Sequence, residues 1–278
     1  MHCRLQPRAP RLQPYAPQAI AAFESALRKS PGDASLASRI GKVLVTTHEY
    51  VKAIEYYSTA VHSDPTKQAL RYELAELYLE LQKYEQAEKE LRALLSGSEA
   101  AELQLDEAFL HVQSLLLLSR VYKEQGLMDQ AAEALGTARS TQTNLLARVR
   151  VEASDQLSAQ REVAAEICFR IALMHELLRD PAQARTSYEE ALKHDDTHEK
   201  GTLALARMHL VVGELDEAQA LCTTLMRIDP GSEAGSMMLA DLMLQARHLP
   251  PSPHPLALHP SPFTPLPPSL TPTFALHP

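Results

Sequence analysis

The sequence predicts an all-α protein in which antiparallel helix pairs stack side by side into a solenoid. The first observation is a repeated segment, because "AIAAFESALRKSP" from Ala19 returns 34 residues later as "AIEYYSTAVHSDP" from Ala53. The second is that small residues recur at fixed positions in two kinds of amphipathic segment. The third is composition, since Ala and Leu are abundant and only nine of the 278 residues are Gly, which favours helix.

The second helix of each pair, helix B, is marked by a small residue, a bulky residue four positions later and a small or leucine residue three further on. These spacings of 4 and 7 place all three markers on one face of a helix. The first markers are Ala19, Ala53, Ala87, Ala131, Ala184 and Ala218. The third markers are Ala26, Ala60, Leu94, Ala138, Ala191 and Leu225.

The first helix of each pair, helix A, is marked by a bulky residue followed by a small one. The six copies are Ile40-Gly41, Leu74-Ala75, Leu118-Ser119, Ile171-Ala172, Leu205-Ala206 and Leu239-Ala240. Small residues in both helices allow the helix axes to approach to ~8–10 Å. Between A and B, Gly126 and Gly213 suit a left-handed helix end, and Asp180-Pro181 suits a helix start.

The markers divide residues 17–247 into one unpaired helix B, five pairs and one unpaired helix A. The pairs are expected at about 34–67, 68–101, 106–143, 156–198 and 199–232, and the last helix A at 233–247. Two insertions interrupt the 34-residue spacing, one around "SGSEAAELQL" and one between Arg139 and Val163. Because the second insertion has no Gly or Pro and stays amphipathic, we expect it to lengthen helices rather than form a loop.

Both termini differ in composition from the repeats. Residues 1–16 are expected to be disordered. In residues 248–278, 11 of 31 residues are Pro, which predicts a disordered or polyproline-like tail. Since each end of the solenoid leaves a helix without its partner, we expect a segment of a longer solenoid with an aberrant C-terminal end. Uncapped ends are also expected to favour self-association.

Charge and cysteine content exclude several classes of function. Residues 15–247 contain 24 of the 27 basic residues and all 35 acidic ones, a net charge of −11. Nucleic acid and anionic membranes require clustered positive charge, so neither is expected as a partner. No apolar run approaches the ~20 residues of a membrane span. Three cysteines without a disulfide or metal spacing are typical of the cytoplasm.

No motif predicts an enzyme, a cofactor or a metal site. The sequence lacks a glycine-rich phosphate loop and the common hydrolase and metalloprotease signatures. His194 and His198 are four residues apart with two aspartates between them, but they follow a helix B, so a solvated linker is the favoured interpretation. Cys168, Cys222 and His209 occupy packing positions of the repeat, which favours buried structural roles.

The repeating unit resembles the tetratricopeptide repeat. That unit has 34 residues, small residues at its eighth, twentieth and twenty-seventh positions, and a closing Pro. The usual Trp at the fourth position is replaced, so the copies diverge; the residues found there are Ala37, Arg71, Leu115, Cys168 and Thr202. The resemblance implies a right-handed solenoid whose inner groove is lined mainly by A helices.

In tetratricopeptide families the fifth and ninth positions of helix A commonly face this groove. The candidate groove residues here are therefore Tyr72, Leu116, Phe169, Leu203, Met237, Lys42, Glu76, Arg120 and Arg207. The fifth positions would form an apolar ladder suited to an extended or helical partner segment. An alternative stays open, in which the curvature of the repeats buries this ladder as ordinary core.

Two longer segments carry a more specific resemblance. Arg170–Met243, beginning "RIALMHELLRDPAQARTSYEEALKHDD", and the upstream "EYYSTAVHSDPTKQALRYELAELYLELQKYEQAEKEL" are similar to the tetratricopeptide repeat protein 21 family, a subunit of intraflagellar transport complex A. The resemblance implies a non-catalytic scaffold in retrograde intraflagellar transport and ciliary cargo trafficking. It implies other complex A subunits as partners, and a location in the cytoplasm and at the cilium or its base. The alternative is a general cytosolic adaptor that binds a peptide or helix in its groove.

Overall fold

The structure is a computed structural model that describes residues 15–96 and 103–248, and the regular secondary structure of this part of the chain is helical, without a strand. The helices are α1 (Ala16–Lys29), α2 (Ala34–Thr46), α3 (Tyr50–Ser63), α4 (Gln68–Glu80), α5 (Tyr84–Leu95), α6 (Leu105–Glu124), α7 (Met128–Glu152), α8 (Leu157–Leu177), α9 (Pro181–His194), α10 (Glu199–Val212), α11 (Leu215–Ile228) and α12 (Glu233–His248). The prediction of an all-α protein is therefore confirmed. The expectations for residues 1–16 and 248–278 fall almost entirely outside the described residues.

The helices form a solenoid because each one packs mainly on its neighbours in the sequence. Helices α2, α4, α6, α8 and α10 are A helices, and each pairs with the B helix that follows it. Helix α1 is a B helix packed on α2, and α12 is an A helix packed on α11 and α10. None of the described helices is both long and apolar enough to span a bilayer.

All five turns between helix A and helix B use one left-handed residue. The residues with positive φ are His48, Gln82, Gly126, Arg179 and Gly213. In the first turn, the Glu49 amide donates to the Leu44 carbonyl at 2.9 Å and the His48 amide donates to the Val45 carbonyl at 3.0 Å. These two bonds satisfy carbonyls at the end of the helix. The prediction for the two glycines is confirmed, but three of the turns place a side chain in this conformation.

Several helix starts are capped by side chains at equivalent repeat positions. Asp33 accepts from the Ser35 amide at 2.9 Å, and the Ser232 hydroxyl accepts from the Gly235 amide at 3.0 Å. The Ser232 hydroxyl also donates to Glu199 on the preceding A helix at 2.6 Å. The cap therefore links one repeat to the next as well as satisfying its own helix.

The core follows the predicted markers in the five helix pairs. The first marker of every paired B helix is fully buried at 0 % exposure, in Ala53, Ala87, Ala131, Ala184 and Ala218. The small markers of the paired A helices are buried against them. Because a methyl group or hydrogen at these positions lets the backbones approach, the larger neighbouring side chains fill the remaining space.

The insertion between Arg139 and Val163 lengthens two helices, as its lack of Gly and Pro predicted. Helix α7 continues to Glu152, and after one turn of 3₁₀-helix the chain enters α8 at Leu157. Gln142 is buried at this contact, and its side-chain amide donates to the Gln160 carbonyl at 2.7 Å. The other insertion, around "SGSEAAELQL", lies mostly outside the described residues.

Candidate protein-binding groove

Three adjoining clefts run along the A helices α2, α4, α6 and α8; together we call them the inner groove. The first has a volume of about 570 Å³ and is lined from α2, α3, α4 and α6. The second, about 660 Å³, shares Lys42 and Glu73 with it. The third, about 550 Å³, shares Leu117 and Arg120 with the first and extends the groove to α8. Because they share lining residues, the three clefts form one continuous groove that is lined mainly by A helices.

Five of the nine predicted groove residues line the inner groove. They are Lys42, Tyr72, Glu76, Leu116 and Arg120. They lie on three successive A helices, so the 34-residue spacing does bring them together on one surface. Whether they bind a partner remains a prediction.

The other four predicted residues do not line these three clefts, and they are Phe169, Leu203, Met237 and Arg207. Phe169 is half-buried, with its ring centroid 5.7 Å from that of Tyr188 and 5.2 Å from that of His198. Leu203 packs partly buried against the cluster that contains Cys222. Met237 and Arg207 are exposed. Leu116, although it lines the groove, is itself buried in the core. The fifth positions of helix A therefore vary between half-buried, buried and exposed along the solenoid.

Residues at the second and sixth positions of helix A also line the groove, although only the fifth and ninth positions were predicted to do so. Gln113 and Glu166 occupy the second position, and Glu73, Leu117 and Arg170 occupy the sixth. Positions 2, 5, 6 and 9 lie on one helical face because their spacings are three and four residues. One helical turn back from the fifth and ninth positions gives the second and sixth, so helical periodicity alone could have predicted them.

In the middle of the groove some charged side chains form ion pairs and others do not. Lys42 Nζ lies 2.9 Å from Glu73 Oε1. Arg120, in contrast, forms no ion pair within the described residues. The surrounding walls reduce hydration, which raises the pKa of Glu76 and, together with the negative charge of Glu76, raises the pKa of Tyr72 to about 12. Arg120 and the ring of Tyr72 line the same cleft.

At the far end of the groove, Glu166 is a fixed anion. Burial alone would raise its pKa, but hydrogen bonds from His198 and Arg170 outweigh this and lower the pKa to about 2. Arg170 Nε donates to Glu166 Oε1 at 2.7 Å, and His198 Nε2 lies 3.4 Å from Oε2. The contact between Glu166 and His198 joins α8 to the start of α10.

Among the histidines and cysteines of the sequence motifs, one caps a helix and three are buried. His198 caps α10, because its Nδ1 accepts from the Gly201 amide at 3.0 Å. His209 is buried, with Nδ1 2.6 Å from Glu214 Oε2, and Cys168 and Cys222 are buried thiols. Across residues 15–96 and 103–248, no group of three or more His, Cys, Asp or Glu is placed to hold a metal ion.

Residues 36–192 match the family model described as "Tetratricopeptide repeat protein 21 forth ARM domain". The chain belongs to the tetratricopeptide repeat protein 21 family. A second model, described as "Tetratricopeptide repeat", matches residues 178–249. The two matches together cover residues 36–249, which include all of the five helix pairs except the first two residues of α2.

Curated relatives in the tetratricopeptide repeat protein 21 family are much longer than this chain. Tetratricopeptide repeat protein 21A of Mus musculus is 37% identical over 231 residues, which are 83% of this chain and 17% of that protein. Tetratricopeptide repeat protein 21B of Mus musculus is 41% identical over 208 residues, or 75% of this chain and 16% of that protein.

Solved structures of other repeat proteins share the fold of this family member at low sequence identity. The PilF protein of Pseudomonas aeruginosa superposes with a TM-score of 0.55 and 19% identity, covering 82% of this chain and 91% of that one. A MamA double mutant reaches a TM-score of 0.50 with 14% identity, covering 68% and 89% of the two chains. At these identities the likeness supports the tetratricopeptide fold alone.

Proposed function

We propose that this chain is a non-catalytic scaffold for other subunits of intraflagellar transport complex A, acting in retrograde transport and ciliary cargo trafficking. Its place would be the cytoplasm and the base of the cilium. Membership of the tetratricopeptide repeat protein 21 family is the observation that carries the proposal. The repeat fold supports it, because tetratricopeptide solenoids are built from helix pairs that present extended surfaces to protein partners.

The inner groove supplies the chemistry for such a partner. The half-buried Tyr72, which packs against the core cluster that contains Leu116, offers apolar surface in the groove. Arg120, which forms no ion pair within the described residues, lines the same cleft. A carboxylate brought into this position would gain a charge-assisted hydrogen bond from the guanidinium. The preferred ligand is therefore an extended or helical segment with apolar side chains and an Asp or Glu facing Arg120.

The test is affinity purification of the tagged chain from ciliated cells, comparing the unsubstituted chain with Arg120→Glu and Lys123→Glu. Both residues are exposed on α6, but only Arg120 lines the groove. We expect the unsubstituted chain and Lys123→Glu to recover complex A subunits. Arg120→Glu should recover at least about fivefold less, because it places like charge against the partner's carboxylate. Recovery of no complex A subunit with the unsubstituted chain would refute the proposal.

A second candidate function is a general cytosolic adaptor that binds its ligand in the same groove. The mixed charge of the groove favours this function, because Arg120 and Glu166 line one cleft and would select any segment that carries the complementary charges. Purification from cells that lack cilia separates the two functions. One stoichiometric partner recovered there, lost in Arg120→Glu and kept in Lys123→Glu, would support the adaptor.

A further inference from the structure

A second cleft lies between the B helices α7 and α9, and we call it the outer cleft. One part has a volume of about 340 Å³ and is lined from α7, α8 and α9. The other part, about 790 Å³, shares Gly136, Arg139 and Glu190 with it and continues along α7 and α9. Helix α8 lines the first part with residues that do not line the inner groove, and these are Ile171, Met174, His175 and Leu178. The outer cleft is therefore separate from the inner groove.

The outer cleft is open because α7 carries the smallest residues at two positions of helix B. These positions are the residue after the first marker and the residue four places later, which are Ala132 and Gly136 on α7. The other B helices have larger residues at both positions. Their pairs are Ile20 and Glu24, Ile54 and Ser58, Glu88 and Arg92, Arg185 and Glu189, and Gln219 and Thr223. Since positions four apart lie on one face of a helix, this face of α7 lacks the side chains that the other B helices carry.

In two other B helices these side chains reach the next repeat. On α5, Arg92 Nη2 donates to the hydroxyl of Tyr122 on the following A helix at 3.0 Å. On α9, Arg185 Nη1 lies 3.1 Å from Glu214 Oε2, at the start of α11. His175 has the repeat position of Tyr122 and lines the outer cleft. Because the two residues on α7 have no side chain long enough to reach it, the space between these repeats stays unfilled.

Packing within the described residues does not require a glycine at position 136. Gly136 lies inside α7 and is exposed, and a Cβ atom added to it would meet no atom within 4 Å. A glycine inside a helix lowers stability relative to alanine, and its use is to let another group approach the backbone closely. Gly136 therefore fits a contact with a partner better than a contact within the chain.

The part of the outer cleft around Ala132 is apolar. Leu135 and Met174 are buried at its base, Ile171 is half-buried, and Leu178 is 53% exposed at its rim. A bulky apolar side chain that entered this part would remove both its own surface and that of Leu178 from water.

The part beyond Gly136 is basic, although the repeats as a whole are strongly acidic. Arg139 and Lys193 line it, and Arg161 donates to the Lys193 carbonyl at 3.1 Å. Glu190 also lines it, with its carboxylate 3.7 Å from Arg139, whereas Lys193 forms no ion pair within residues 15–96 and 103–248. Burial, together with the positive charge of Arg161, lowers the pKa of His194. An acidic partner is therefore complementary to this part of the cleft.

We infer that the outer cleft binds an acidic amphipathic helix of another protein. The helix places a bulky apolar side chain over Ala132 and Gly136 and an Asp or Glu beside Lys193. Small residues four apart on one helix face let a second helix axis approach to ~8–10 Å, as the small markers do inside the solenoid. The cleft follows α7 from Ala132 to Asn144, which is about 18 Å, or about three turns of the partner. This surface is additional to the inner groove, so failure of either proposal leaves the other standing.

The test is selection from a phage-displayed library of random peptides long enough for three helical turns, using the full chain as bait. Gly136→Leu fills the cleft, and Thr137→Leu adds the same side chain at the next exposed position, outside it. Lys193→Glu reverses the charge in the cleft. Arg150→Glu is its control, because both basic residues lie in the last turn of a B helix but only Lys193 lines the cleft.

We expect the selected peptides to carry a bulky apolar residue and an Asp or Glu three or four positions from it. By fluorescence anisotropy, Gly136→Leu should weaken their binding at least about tenfold and Lys193→Glu at least about fivefold. Thr137→Leu and Arg150→Glu should each change binding by less than about twofold. The melting temperature of Gly136→Leu should be no lower than that of the unsubstituted chain, because Leu is a better helix former than Gly.

Three results would overturn the inference. The first is a set of selected peptides that bind Gly136→Leu as tightly as the unsubstituted chain, including peptides that Arg120→Glu removes, since these occupy the inner groove. The second is a consensus without acidic residues. The third is self-association of the unsubstituted chain in sedimentation equilibrium that Gly136→Leu abolishes and Thr137→Leu keeps, because the occupant would then be a second copy of this chain.

Discussion

The ring of Tyr57 lies directly against the backbone of Gly41, in the first complete helix pair. A Cβ atom placed on Gly41 would lie 2.6 Å from Cε2 of Tyr57. In an ordinary helix interior, replacing Gly by Ala raises the free energy of unfolding by roughly 0.5–1 kcal/mol. Here we expect Gly41→Ala to reduce the free energy of unfolding by about 1–3 kcal/mol, because the ring has to move within a packed core. Urea unfolding followed by circular dichroism measures the change.

Gly136 provides the matched control for Gly41, because it also lies inside a helix but its added Cβ would meet nothing within 4 Å. Gly136→Ala should therefore stabilise by about 0.5–1 kcal/mol. Replacing Tyr57 by Leu should remove most of the penalty of Gly41→Ala, so that the two substitutions are strongly non-additive. Equal effects of the two Gly→Ala substitutions would show that the contact with Tyr57 carries no energy.

The left-handed turn residues give a second prediction. Gln82 has φ 59° with an exposed side chain, a conformation that costs a non-glycine residue ~1–2 kcal/mol. Gln82→Gly should raise the free energy of unfolding by about 0.5–1 kcal/mol, since relief of strain exceeds the entropy of the added glycine. Gly213→Ala, at φ 91° in the equivalent turn, should lower it by about 1 kcal/mol.

Gln82→Ala separates the backbone effect from the loss of the side chain. It removes the same polar group and keeps a Cβ at φ 59°, so the free energy of unfolding should change little. Chemical denaturation of all three variants at one pH is sufficient for the comparison. If Gln82→Ala stabilised as much as Gln82→Gly, the strain would not lie in the backbone.

How far the sequence predicts this molecule depends on whether a feature is local or arises from stacking. The alanine markers such as Ala53 and the glycine turn at Gly213 were predictable, because helical periodicity and backbone sterics act within a few residues. The different environments of Leu116, Phe169 and Met237 were not, although all three occupy the fifth position of helix A. Their burial depends on the angle between successive repeats, which a one-repeat pattern does not contain.

Contacts between repeats were not predictable from the sequence for the same reason. Glu166 and His198 are 32 residues apart and meet only because the fold brings the start of α10 to α8. His48, Gln82 and Arg179 were missed because a general preference for Gly gives no sign of where a non-glycine residue is tolerated in the left-handed region. In these turns the two carbonyl hydrogen bonds hold the conformation regardless of residue type.

Cys168 gives a third prediction, because burial raises the pKa of its thiol to about 11. Since the thiolate is the reactive form, only ~10⁻³ of this thiol is ionised at pH 8. Native chain treated with iodoacetamide at pH 8 should therefore label at Cys168 at least about 100-fold more slowly than chain unfolded in urea. Mass spectrometry of the Cys168 peptide over time gives both rates. Equal rates in the two states would show that burial of Cys168 on α8 against Ala191 of α9 does not protect it.

The depressed pKa of Glu166 gives the last prediction. Its carboxylate ionises with a pKa of about 2 in the folded chain, against an ordinary value of 4.5. The charged form is therefore favoured by folding, and the resulting stability is complete above pH 4.5 and is lost as the pH falls towards 2. Glu166→Gln should reduce the free energy of unfolding by about 1–3 kcal/mol near pH 6. Roughly half of this difference should have disappeared at pH 3.

Glu162→Gln is the control for this pH dependence, because Glu162 is exposed one turn earlier on the same face of α8. It should change the free energy of unfolding by less than about 0.5 kcal/mol at either pH. Urea titrations of the three proteins at pH 6 and pH 3 provide the comparison. A Glu166→Gln penalty that is the same at both pH values would mean that the contact with Arg170 and His198 acts through packing rather than through the charge of the carboxylate.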